Sequence, residues 1–168
     1  INELIGFDNM PNGYLNFDEV KVPEENRIGK EGEAWMILMT GLNFERTVGA
    51  AAIIGGMGEA LRYAINYAQR RVQFGMRTID FPTNQFKIAE MMAKLRMARL
   101  VTYYTAYSMD IGRDAVLDAT VAKWYASDWA VDVALEAIQV MGGDGVTKFY
   151  PIERLLRDGK IGQIVAGT

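Results

Sequence analysis

The chain contains no cysteine and no histidine. Without cysteine it can form neither a disulfide nor a thiolate metal site. Without histidine it lacks the base of a Ser-His triad and the commonest transition-metal ligand, so no metal site is expected. Acid–base chemistry therefore falls to Asp, Glu, Lys or Tyr. Excess charge is also missing. The net charge of −3 gives no electrostatic reason to expect nucleic acid or an anionic membrane as a partner. Long apolar runs are absent as well. The longest, Val48–Met57, is rich in Gly and Ala and falls well short of the roughly 18 residues of a spanning helix, so no membrane span is expected. No charged and then apolar leader follows Ile1. A cytoplasmic setting, or the mitochondrial matrix in a eukaryote, is the expectation. A first residue other than Met suggests a piece of a longer protein.

What is present is an ordinary globular balance. Half of the 168 residues are apolar, enough for one domain with a sizeable core. Met10-Pro11-Asn12-Gly13 reads as a turn. Tyr14 to Pro23 alternates like a strand and stops at proline. One strand is not stable alone, so it is expected to belong to a sheet whose other strands lie upstream. Pro23 to Gly32 is polar and loop-like. Beyond it the period becomes helical. A first helix is predicted over about 33–71, with Ile37, Leu38, Leu42, Val48, Ile53, Met57, Leu61 and Ile65 on its apolar stripe. A second is predicted over 84–111, with Ile88, Met91, Met92, Leu95, Ala98 and Val101. A third covers 114–141 and is stopped by Gly142-Gly143-Asp144-Gly145. A short fourth covers 151–158, with proline in its first turn. Phe74-Gly75 ends the first element. Asp80 to Asn84 holds a cap candidate for the second. Long helices with short loops make an antiparallel bundle. The fold class is therefore all-α, four-helix-bundle-like, preceded by a short β segment.

Three places in this frame are able to carry chemistry. Glu45 has Gly41, Leu42, Val48 and Gly49 as its helical neighbours, and none of them can pair with a carboxylate. A buried, partnerless carboxylate suits a general base. The alternative is a helix-edge Glu bonded to a basic residue of another element. Gly142-Gly143-Asp144-Gly145 could cradle a phosphate, although composition alone favours a plain helix stop, and it is neither a Rossmann nor a Walker pattern. Arg70 and Arg71 either complement the helix dipole or meet a phosphate. Gly41, Gly49, Gly55 and Gly56 point to a close-packed helix, or a ligand, beside the first helix. Arg154, Arg157, Asp158 and Lys160 read as a solvated or salt-bridged end.

Six segments in order resemble the acyl-CoA dehydrogenase family. They are Asp18-Glu19-Val20-Lys21-Val22-Pro23, Gly41-Leu42-Asn43-Phe44-Glu45-Arg46, Arg71-Val72-Gln73-Phe74-Gly75, Asn84-Gln85-Phe86, Gln139 through Gly145, and Arg157 through Thr168. Each is modest alone, and together they are specific. The resemblance implies that residues 1–30 end a middle β-domain. It also implies that residues 31–168 form the C-terminal helical bundle, cut before its last helix. Family members bind FAD and oxidise the Cα–Cβ bond of acyl-CoA thioesters. They pass electrons to an electron-transfer flavoprotein and usually assemble as homotetramers, with a homodimer as the smaller alternative.

Many members carry the catalytic Glu in the terminal motif, where this chain has Ala166. The isovaleryl-CoA and long-chain branches place it on the first bundle helix before an Arg, which Glu45-Arg46 matches. The resemblance thus implies Glu45 as catalytic base. It implies Arg71, Gln73, Phe74, Gln85, Gln139, Val140, Gly142, Gly143 and Thr168 as FAD-binding residues. Asn43, Phe44, Arg46, Ala166 and Gly167 fall on the acyl-CoA side. Two other readings stand beside this one: a family member with altered chemistry, of reductase or desulfinase type, and a helical piece serving only in assembly.

Overall fold

The computed structural model describes residues 2–167 of the chain. Four helices make up most of it: α1 (Ala34–Arg70), α2 (Pro82–Asp110), α3 (Val116–Met141) and α4 (Ile152–Gly162). Side-chain links between helices give their directions. Lys87 meets Glu136 and Lys94 meets Asp132, so α2 and α3 run antiparallel. Thr47 lies against Met109 while Gly58 faces Leu95 and Arg99, so α1 and α2 are antiparallel too. Lys123 and Asp128 of α3 reach Gln163 just past α4, whereas Gly159 lies against Val131, so α4 runs back along α3. The result is the up-down-up-down bundle that short connections favour.

Alanine makes the central seam. Ala50, Ala60, Ala64 and Ala68 of α1 are buried, as are Ala119, Ala122, Ala126, Ala130, Ala134 and Ala137 of α3. These two helices share the largest interface in the molecule. Such small side chains bring helix axes together and leave little slack. Ile54, Met57, Leu61, Ile88, Met91, Leu95, Val133 and Ile152 fill the rest of the core. On α2 the buried stripe continues as Thr102, Thr105 and Ser108 rather than as apolar residues. The hydroxyl of Thr105 donates to the Val101 carbonyl at 2.8 Å, which satisfies it within its own helix.

The expected close approach at the α1 glycines does not occur at three of the four. A Cβ built on Gly41, Gly49 or Gly55 would meet nothing within 4 Å; only Gly56 faces a neighbour, Leu155. Alanine supplies the close packing instead. Ile37, Leu38, Val48 and Met92, predicted for the core, are exposed. The first turns of α1 lie beyond the bundle, and Met92 falls one position off the buried stripe of α2. By length and composition α1 is also apolar enough to cross a membrane, which the uninterrupted-run argument does not capture. Its second half, from Ala50 to Ala68, lies in the bundle core.

Helix boundaries follow the punctuation. The second helix starts two residues before the predicted Asn84: Pro82 opens it, behind Phe81 as N-cap, and the side-chain cap expected within 80–84 is not made. Gly142 ends α3 with φ 61°. The fourth helix is longer than expected and continues to Gly162. Phe74 and Gly75 do more than end α1. Both have positive φ, 53° and 80°, and they turn the two-residue strands β1 (Val72–Gln73) and β2 (Met76–Arg77) into a small antiparallel hairpin.

The predicted strand over 14–23 forms no ladder. Its residues are exposed, the chain bends at Asp18-Glu19, where Glu19 takes a φ of 47°, and the pairing nearby is a single bridge between Asn2 and Asn12. A lone strand leaves its backbone groups to water, so nothing holds it in register. The polar linker contains one turn of 3₁₀ helix, Glu24–Asn26. Farther back, Phe7 donates its backbone N–H to Asp158 at 2.7 Å, and Arg157 reaches the Ile5 carbonyl at 2.7 Å. The mixed-sign cluster of α4 is thus partly salt-bridged, as expected, and it anchors the N-terminal segment.

Candidate sites at the two ends of the bundle

The predicted site residues fall into two groups along α1, one in its first half and one at its C-terminus. In the first half, Arg46 turns inward. Its Nε donates to the Ala166 carbonyl at 3.1 Å and a terminal nitrogen donates to Thr120 at 3.4 Å. Gly167 follows, and its carbonyl accepts from the buried Lys123 ammonium at 2.8 Å. Arg46, Thr120, Lys123, Trp124 and Gly167 line a cavity of about 300 Å³. Residue 166 therefore stands against the α1 turn that carries Glu45. Asn43 is half-buried beneath that turn, and Phe44 is exposed.

Glu45 itself is exposed, which corrects the burial inferred from its apolar neighbours. Those neighbours describe one helix face, and that face is open here: Val48 is exposed and nothing stands over Gly41 or Gly49. The ion-paired alternative is not realised either. Among the described residues Glu45 makes no salt bridge or side-chain hydrogen bond.

At the C-terminal end, Arg71 caps α1. It donates its N–H to Tyr67 at 2.9 Å and accepts from Thr78 at 2.8 Å. Five of the predicted flavin residues, Arg71, Gln73, Val140, Gly142 and Gly143, line one cavity of about 280 Å³ together with Tyr67, Thr78 and Asp144. The glycines leave the backbone open, since a Cβ on Gly142 or Gly143 would meet nothing within 4 Å. Bare backbone beside a guanidinium fits a phosphate. The Gly142 N–H is itself taken by the Gln139 and Ile138 carbonyls, so it is the Arg71 charge and the steric openness of the turn that fit the diphosphate part of a dinucleotide such as FAD.

Three predicted flavin residues lie off this cavity. Phe74 is 95% exposed at the hairpin tip, and Gln85 and Gln139 are exposed on the first turn of α2 and the last turn of α3. Thr168 lies outside the described residues.

Tyr67 and Lys123 were not singled out from the sequence, and Asp144 was named there only as part of the glycine turn. Tyr67 sits one helical turn before Arg71, so its face was readable; its partner was not. Its hydroxyl donates to Asp144 Oδ2 at 2.6 Å. Burial and that bond to a carboxylate together push the Tyr67 phenol above its usual pKa. A second, more polar cavity of about 430 Å³ adjoins, sharing Tyr67, Arg71 and Asp144 and lined further by Arg62, Tyr63 and Tyr150. The Tyr150 ring stands edge-on to both Tyr63 and Tyr67.

Residues 32–168 match the family model described as "Acyl-CoA dehydrogenase, C-terminal domain". An acyl-CoA dehydrogenase of Bacillus subtilis is 44% identical over 92% of this chain and 41% of its own length. The caffeyl-CoA reductase-Etf complex subunit CarC of Acetobacterium woodii is 40% identical over 90% of this chain and 40% of its own. Among solved structures, the glutaryl-coenzyme A dehydrogenase–glutaryl-CoA complex aligns with a TM-score of 0.94 at 36% identity, covering 99% of this chain and 42% of that one. The chain belongs to the acyl-CoA dehydrogenase family and comprises its C-terminal helical domain. It spans about two fifths of the length of the curated relatives it matches.

Proposed function

We propose that the protein to which this chain belongs is an FAD-dependent acyl-CoA dehydrogenase, with Glu45 as the base. The bond from Arg46 to the Ala166 carbonyl carries this reading. It sets the two alternative seats of a catalytic carboxylate beside each other, and here only the α1 seat holds a carboxylate. Glu45 takes the α-proton of the thioester, the C–H electron pair forms the Cα=Cβ bond, and a hydride leaves Cβ, giving the 2-enoyl-CoA. FAD, when bound, supplies the acceptor for that hydride. An α-proton is too weakly acidic for a solvated carboxylate, so the exposed Glu45 needs cover, which bound acyl chain and flavin would supply. Asn43, Phe44, Arg46, Ala166 and Gly167 border the acyl-CoA. Arg71 and the open backbone of Gly142-Gly143 hold the diphosphate.

The separation of these half-sites supports a homo-oligomer, a homotetramer or a homodimer. Glu45 and Arg70 lie about 25 residues apart on one straight helix, roughly 37 Å at 1.5 Å per residue. That exceeds the reach of one extended dinucleotide, so each flavin would take its base from one copy and its Arg71 from another. Exposed apolar side chains along α2, among them Leu100, Tyr103, Tyr104 and Tyr107, offer surface for such contacts. Residues 1–30 fit the end of a preceding β-domain, whose strands would pair the exposed 14–23 segment. An electron-transfer flavoprotein is the proposed acceptor, a reading supported by the Etf complex of the A. woodii relative.

In the full-length protein, Glu45→Gln should retain FAD and lose flavin bleaching by acyl-CoA. Full bleaching in that variant would sink the assignment. The reductase activity in the name of that A. woodii relative favours one second reading, a reductase working in the opposite direction. Anaerobic flavin reduction by a panel of acyl-CoA thioesters separates the two.

A further inference from the structure

The segment after α4 ends in an unusual backbone. Ala166 and Gly167 are both left-handed, with φ 56° and 82°. A residue with a Cβ takes that conformation only when its surroundings impose it. Two cations do so here. Arg46 holds the Ala166 carbonyl, as described. Lys123 of α3 holds the carbonyls on either side, Gln163 at 3.1 Å and Gly167 at 2.8 Å.

Lys123 is 4% exposed, and among the described residues it makes no salt bridge. The acid that attracts it, Asp128, is already engaged by the Trp124 indole and the Gln163 amide, both at 2.8 Å. A buried ammonium without an ion pair is costly. Burial, together with the nearby Arg46 charge, pulls its pKa down. A core position would accommodate Met or Leu of similar length at far lower cost. What Lys adds is several donors aimed at carbonyls, placed where the helix dipole of α4 is negative.

We infer that Lys123 is a positioning residue: with Arg46 it clamps the left-handed turn at Ala166–Gly167 and fixes that loop against the Glu45 turn of α1. It touches no reacting atom. Its part in catalysis rests on the acyl-CoA reading; its grip on the loop does not.

The test uses the full-length protein carrying Lys123→Met, which keeps length and removes every donor. Amide hydrogen exchange at residues 163–167 should accelerate at least tenfold, while amides of α1, α2 and α3 keep their protection. Flavin content should hold while kcat falls by about tenfold to a hundredfold, the scale expected for a misplaced site. Lys123→Arg, which can still reach a carbonyl, should recover part of both. Unchanged loop exchange in folded Lys123→Met overturns the inference. Lys123→Gln serves as the second variant, and if neither folds, Lys123 is a stability residue and the assignment falls. If the loop loosens but Glu45→Gln still bleaches, the clamp stands and the proposed function does not.

Discussion

The Tyr67 hydroxyl donates to Asp144 at 2.6 Å across 77 residues of sequence, stitching α1 to the glycine turn after α3. A carboxylate in a turn proposed to receive phosphate would repel it. Tyr67 ties Asp144 back, away from the Arg71 guanidinium and the open face of Gly143. A hydrogen bond to a charged group contributes about 1.5–3 kcal/mol. Tyr67→Phe should therefore weaken FAD binding by about tenfold to a hundredfold, read by fluorescence titration of the full-length apoprotein, with helical circular dichroism unchanged.

The glycines of that turn should divide into two kinds. A Cβ on Gly143 meets open space, whereas one on Gly145 would lie 2.6 Å from the Ile138 carbonyl and 2.9 Å from its Cα. Gly143→Ala should leave the melting temperature within a degree or so and reduce FAD affinity. Gly145→Ala should lower stability by about 1–3 kcal/mol, the usual cost of overpacking. Equal melting temperatures for the two would contradict this division.

The alanine seam predicts intolerance to volume. Ala64 is fully buried between α1 and its neighbours. Ala64→Leu should cost about 1–3 kcal/mol in denaturant unfolding. An equivalent change at exposed Ala51 or Ala52 should fall within about 0.5 kcal/mol. A neutral Ala64→Leu would mean the helices separate more easily than their packing implies.

Acid should loosen the attachment of the N-terminal segment. The Arg157 hydrogen bond holds the Glu153 carboxyl below its usual pKa. The folded state therefore binds that proton less readily than the unfolded one. The pair's contribution is present above the ordinary Glu value of about 4.3 and is lost as pH falls through the lowered folded value. The stability difference between wild type and Glu153→Gln should thus be steady at neutral pH and shrink in acid. A difference independent of pH would remove the pair from the account.

Much of the bundle was legible because its punctuation is local. Gly142 and the stripe Ile88, Met91, Leu95, Ala98 act through steps of one to four residues. The core of α3 was harder to read, because alanine marks a good helix former wherever it sits. The lower stripe of α2 was hidden because Thr102, Thr105 and Ser108 keep the spacing and lose the apolarity. At the sites, Arg71 and Gly142 could each be singled out, but their shared cavity depends on a chain return of some seventy residues. Glu45 shows the opposite limit. Its neighbours describe the helix it stands on and say nothing about what covers it.

Glu45 lies in the first half of α1 and Arg71 at its C-terminus, and under the proposed assembly that separation has a genetic meaning. A Glu45→Gln chain still offers a sound Arg71 end, and an Arg71→Ala chain still offers a sound Glu45 end. In a mixed pair, one of the two sites inherits both defects and the other inherits neither. Two alleles that are each silent alone would then restore activity when expressed together, while two alleles damaged at the same end would not.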